Sequence, residues 1–155
     1  MTPSTDHRQV AVDLFNHVWT LMDTPDRTTA QDDEMLHAAH ASRYHWGLVG
    51  EPVNLARGEW QCSRVYAILG RGEPAIHHGR RCLEICQAED IGDFDLAFAY
   101  EALARAHLVN GDSEASAGYR SQAARAGGDI ADQEDRAYFE DELASLASAG
   151  QPITD

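Results

Sequence analysis

From Arg57 to Ala88 the apolar positions recur at helical spacing on both sides of a glycine-bearing break, which predicts two amphipathic helices folded back on each other. The first of them ends near Leu69 and meets Gly70. Ala75, Gly79, Cys82 and Leu83 then give the returning helix a face of small and apolar side chains suited to close packing. The plan recurs 40 residues on, counted from Ala75 to Ala115: a helix ending near Asn110 meets Gly111-Asp112, and Ala115, Tyr119 and Ala123 form the second packing face. Earlier in the chain, Val10, Leu14, Val18 and Leu21 make a stripe on a helix from Asp6 to Met22, stopped by Asp23-Thr24-Pro25. A second helix spans Thr29 to Leu48, with Asp32-Asp33-Glu34 suited to its positive end. Gly50-Glu51-Pro52 and Gly72-Glu73-Pro74 open the third and fourth helices, each placing Pro at the first helical position. The fifth runs from Phe94 to Asn110 and the sixth from Ser113 to Ala126. Gly127-Gly128 breaks the chain before a seventh, from Ala131 to Ala147, and Gln151–Asp155 reads as a frayed tail.

Tandem helical hairpins at a fixed period mark a helical repeat, whose usual work is to hold another protein. Trp60, Cys62, Ser63, Tyr66, Gly70 and Ala75 in the first copy, and Tyr100, Leu103, Ala104, His107, Gly111, Asp112 and Ala115 in the second, resemble the tetratricopeptide repeat. The copies depart from it in four ways. Their spacing of 40 exceeds the ~34 of the standard repeat, no Pro closes either copy, His107 stands where the family prefers Tyr, and Arg71 replaces the turn Asp. The resemblance implies an all-α chain: a short right-handed α-α superhelix of seven helices, divergent and with long hairpins. It forms one domain over 1–155, with the clearest repeats at 54–88 and 94–127, a capping helix at 129–148 and a tail at 149–155. The first two helices then form a degenerate hairpin. Glu134, Asp135, Asp141 and Glu142 make the last helix polar enough to end the stack in water.

Composition narrows the function classes. A chain of 155 residues that is 43% hydrophobic can bury one core without staples. Alanine-rich segments with few Val or Ile and no alternating runs argue against a sheet. The three cysteines are odd in number, and Cys82 and Cys86 lie four apart on one helix, a placement that suits small buried hydrophobes. The first residues carry no apolar core and no stretch approaches a membrane span, so a cytoplasmic protein without membrane partners is the expectation. There is no lysine, which excludes Schiff-base chemistry and a phosphate-loop lysine. The net charge of −14 argues against nucleic-acid binding. That charge is uneven: residues 1–54 carry −5, residues 55–82 carry +3 and residues 83–155 carry −12.

The basic segment supplies the candidate site. Arg57 and Arg64 are seven apart, within roughly 20° around a helix axis, and Trp60 lies between them. The core-facing stripe is elsewhere, at Leu55, Cys62, Tyr66 and Leu69. The resemblance implies that Arg57, Trp60 and Arg64, with Phe98, Glu101, Arg105 and Leu108 of the fifth helix, address a ligand along a concave groove. An arginine pair flanking an aromatic ring can fork onto a carboxylate, so another protein or peptide, acidic or ending in its C-terminus, is the expected partner. The alternative for these arginines is solvation, or pairing with the chain's own carboxylates. A second reading starts from Glu34, His37 and His40, whose Glu-x-x-His spacing is used by metal sites in helical bundles. Only Glu59, His77-His78 and the Glu101 and His107 pair stand as further ligands, so a metal protein or small enzyme built on that helix is the alternative. No nucleophile elbow, phosphate loop or dinucleotide fingerprint occurs in the chain. The primary expectation is therefore a non-enzymatic interaction module that needs no metal or organic cofactor. A short stack also exposes apolar ends, which predicts a homodimer or a larger assembly.

Overall fold

Seven helices account for most of the residues that the computed structural model describes, 4–149: α1 (His7–Met22), α2 (Thr29–Val49), α3 (Pro52–Ile68), α4 (Gly72–Ala88), α5 (Asp93–Val109), α6 (Ser113–Gly127) and α7 (Gln133–Ala149). No strand occurs among the described residues, and the tail expected over Gln151–Asp155 lies outside them. Most boundaries fall within a residue or two of the sequence pattern; two differ for local reasons. Pro52 opens α3, but α4 starts at Gly72, so Pro74 sits in its first turn rather than at its first residue. A missing N–H costs nothing there, because first-turn donors have no intrahelical acceptor. The start of α7 is delayed to Gln133 because the Asp132 carboxylate accepts the Asp135 N–H at 2.9 Å and caps the helix.

Two glycines turn the chain. Gly70 and Gly111 take φ of +75° and +83°, a region open to glycine at no steric cost. Each closes a six-residue C-cap with the same pair of bonds: Arg71 N–H to Tyr66 O and Gly70 N–H to Ala67 O in one, Asp112 N–H to His107 O and Gly111 N–H to Leu108 O in the other. The turns are too short for anything but antiparallel helices. A buried serine then clasps each pair: Ser42 Oγ donates to Ala11 O across α1 and α2, Ser63 to Ala75 O across α3 and α4, and Ser116 to Ala104 O across α5 and α6, all at 2.7–2.8 Å. Alanine and glycine at these crossings let the backbones come close enough for a side-chain hydroxyl to reach.

The three pairs stack in order, with α7 closing the end. Consecutive odd helices, α1 to α3, α3 to α5 and α5 to α7, pack directly on one another, whereas among the described residues no two even helices do. The odd helices therefore share one side of the stack. The core runs along the stack in successive clusters: Val18, Leu21, Met35, Cys62 and Val65 at one end, Ala56, Cys82, Cys86 and Ala99 in the middle, and Phe98, Ile130 and Phe139 at the other. Burying a side chain of the size of Phe139 contributes about 1.5–3 kcal/mol. That ring packs against Gly127, where a Cβ would collide with it. All three cysteines are free and buried. No described helix is long and apolar enough to cross a membrane.

Candidate functional site

Helices α3 and α5 present a similar local pattern to the side of the stack where the odd helices meet, Ala56-Arg57 with Trp60 one turn on, and Phe94-Asp95 with Phe98 one turn on. Because the two helices lie side by side in matching register, Arg57 stands opposite Asp95 and the rings stand next to each other. Phe15 and Trp19 of α1 and Tyr138 of α7 complete a pocket of about 420 Å³, a volume suited to a small ligand or an inserted side chain. Its rings form a continuous run. Trp19 stacks on Trp60 (centroids 5.7 Å apart), Trp60 meets Phe98 edge-on at 5.9 Å, and Phe98 contacts Phe94 at 4.6 Å and Tyr138 at 5.8 Å. Arg57 forks onto Asp95, Nε to Oδ1 at 2.8 Å and Nη2 to Oδ2 at 3.1 Å, and this bond raises its pKa above the ordinary value. Asp135, also in the lining, makes no side-chain ion pair among the described residues, and the indole N–H of Trp60 is buried without an acceptor. Burial, and then the charge of Glu142, pushes the Tyr138 phenol up, so it stays protonated.

Beside the pocket, Arg64, Glu101, Arg105 and Glu142 lock α3, α5 and α7 together. Glu101, with no exposed surface, accepts from Arg64 Nη1 at 3.2 Å and from Arg105 Nε at 2.9 Å, and Arg64 Nη2 reaches Glu142 at 2.6 Å. Arg64 also lies over the Trp60 ring, 5.9 Å from its centroid. Of the groove residues named from sequence, Arg57, Trp60 and Phe98 therefore line the pocket, Arg64, Glu101 and Arg105 form the lock, and half-buried Leu108 belongs to neither. The carboxylates that the arginines reach are the chain's own.

The histidines collect in a different place, a polar seam between α2, α3 and α4. Glu59 accepts from Arg43 Nε at 3.0 Å and lies 2.7 Å from His78 Nδ1; Arg43 reaches it across Gly58, where a Cβ would sit 2.8 Å from Arg43 Cδ. His40 Nε2 bonds to the Tyr66 hydroxyl at 2.9 Å, and Tyr66 stacks on His78. Burial lowers the His40 pKa, with the neighbouring His78 charge acting in the same direction. Burial raises that of Glu59, but the bond and charge of His78, with Arg43, outweigh it and hold the carboxyl below its usual range. Burial pushes the Cys62 thiol up to about 12, which removes it as a nucleophile. Glu34, His37 and His40 do not converge: Glu34 pairs with His17 at 3.3 Å, His37 is exposed and His40 turns to Tyr66. No group of three His, Cys, Asp or Glu side chains is placed to hold a metal ion among the described residues.

Phe15, Trp19, Asp95 and Tyr138 were not singled out from the sequence, and Asp135 was read there only as part of the polar surface of the last helix. A signal existed in α1, where Phe15 and Trp19 sit one turn apart beside the stripe of Leu14, Val18 and Leu21, making the apolar face wider than one partner helix needs. Asp95 and Asp135 carried no such signal, because an acidic first turn serves any helix. A scan against protein-family models, a search of the curated proteins and a search of the solved structures each found no match.

Proposed function

We propose that this chain is a protein-interaction module, a divergent tetratricopeptide-like superhelix that holds a segment of another protein in the groove along α1, α3, α5 and α7. The observation that carries the reading is the aromatic pocket, in which six rings from four helices surround an open volume, with Cys82 of α4 at its wall. Apolar side chains lining a concavity, with a few charged groups at its edge, are what a peptide-anchoring site requires. The chemistry in the lining favours binding over catalysis. Its one thiol, Cys82, is buried, and its pKa is raised by its bond to Cys86 and then by burial. The test is to select peptides from a random library on the full chain and measure their affinity for Tyr138→Ala and Phe15→Ala. Loss of binding in both supports the groove; unchanged affinity in both places the site elsewhere. Self-association goes with this reading. Tyr44 and Leu48, one turn apart on α2, are exposed together with Val49, an apolar patch that a second copy would cover. A strict monomer in light scattering at high concentration would remove that part.

A further inference from the structure

We infer, resting on the groove reading above, that the bound segment is anchored in the pocket by a lysine or arginine side chain, its apolar stem against the rings and its cation facing Asp135. The pocket's charge points this way. Among its lining residues, Arg57 is the one cation and both oxygens of Asp95 already hold it, which leaves Asp135 as an unmatched carboxylate. Exposed Glu134 and Asp141 on α7 add to the negative field, in a chain whose net charge is −14. An acidic side chain entering here would meet the unmatched charge of Asp135, while the charge of Arg57 is already balanced by Asp95. A cation would be drawn to Asp135 instead.

The rings point the same way. The face of an aromatic ring attracts a cation within about 6 Å of its centroid, and Trp60 already accepts Arg64 in this manner. Trp19, Phe94 and Tyr138 offer further ring surface around the open volume. Long basic side chains suit such a site because their methylene stems pack on apolar surface while the head stays near counter-charge. A neutral aliphatic anchor would gain the stem contacts alone, so the preference for the charged head is the distinguishing quantity.

The experiment titrates the full chain with three blocked synthetic peptides, identical but for a central residue set between leucines, which is lysine, norleucine or glutamate. Calorimetry gives affinities, and the indole N–H resonances of Trp19 and Trp60 report the site. The lysine peptide is expected to bind about tenfold tighter than the norleucine peptide, with glutamate weakest and both indole signals shifted. Asp135→Asn should reduce the lysine preference about threefold or more with an unchanged unfolding curve, and Asp135→Glu should retain it. Equal binding of lysine and norleucine peptides, or tightest binding of the glutamate peptide, overturns the cationic anchor while leaving the groove reading standing. A lysine preference untouched by Asp135→Asn, with unshifted indoles, overturns the assignment to this pocket. Free butylammonium binding as tightly as the lysine peptide would make it a site for a small amine instead. Failure of all three peptides, together with failure to select any from the library, would sink both readings.

Discussion

The pocket between the odd helices and the seam between α2, α3 and α4 are made of the same residue types, aromatics with arginines and carboxylates, yet only one of them is open. In the seam each oxygen of Glu59 has a partner, Arg43 on one and His78 on the other, and the His40 ring is closed off by Tyr66. In the pocket, rings from four helices surround empty volume, and the Asp135 carboxylate beside it is unmatched. A buried polar cluster whose members satisfy each other rigidifies a fold. Unmatched charge beside exposed aromatic surface is what a ligand completes. Density of histidine in the sequence therefore points to the seam, while the incomplete site lies among the aromatic rings of α1, α3, α5 and α7.

That contrast breaks most visibly in the lock adjoining the pocket. Glu101→Ala should cost about 3–5 kcal/mol, because it leaves Arg64 and Arg105, both mostly buried, without their shared carboxylate. Urea unfolding measures this, and a loss under 1 kcal/mol would show that the lock is solvated. In the seam, Glu59→Ala should cost about 2–4 kcal/mol by stranding Arg43 and His78, while leaving peptide affinity unchanged. A smaller loss follows from Gly127→Ala, about 1–3 kcal/mol, since a methyl group there must push Phe139 off α6. The displaced α7 carries Tyr138, so this variant should also weaken binding, unlike Glu59→Ala.

The seam also predicts an acid-sensitive stability. Folded His40 takes up its proton less readily than the unfolded chain, whose ordinary value is 6.5. Below pH 6.5 the unfolded state holds more protons, so stability declines as pH falls toward the folded value. Glu59, held below its ordinary 4.5, adds stability that is present above that pH and lost on further acidification through its folded value. Unfolding curves across this range should show a decline that His40→Phe flattens near pH 6 and leaves intact lower down; a pH-independent midpoint would contradict the pairing in the seam. The smallest effect belongs to the pocket. Asp135→Asn should change stability by less than about 0.5 kcal/mol, because that exposed carboxylate makes no side-chain bond among the described residues, and a large loss would make it part of the frame instead.

Local chemistry in the sequence determined the helices. Gly70 and Gly111 favoured turns because they take positive φ at no steric cost, and the repeated small faces at Ala75 and Ala115 fixed which helices pair. The arginine face of α3 was legible for the same reason, since seven-residue spacing sets a direction on any helix. Its partners were not. Whether Arg57 and Arg64 met solvent, a ligand or the chain's own Asp95, Glu101 and Glu142 depended on residues 37 to 78 positions away in sequence. Only the register between neighbouring hairpins settled that. The pocket belongs to the same class: Phe15 and Trp19 of α1, Phe98 of α5 and Tyr138 of α7 lie far apart in sequence, and they became one wall when stacking brought the odd helices together on one side. Periodicity states which way a side chain leaves its helix, whereas the packing of helix on helix decides what it meets there.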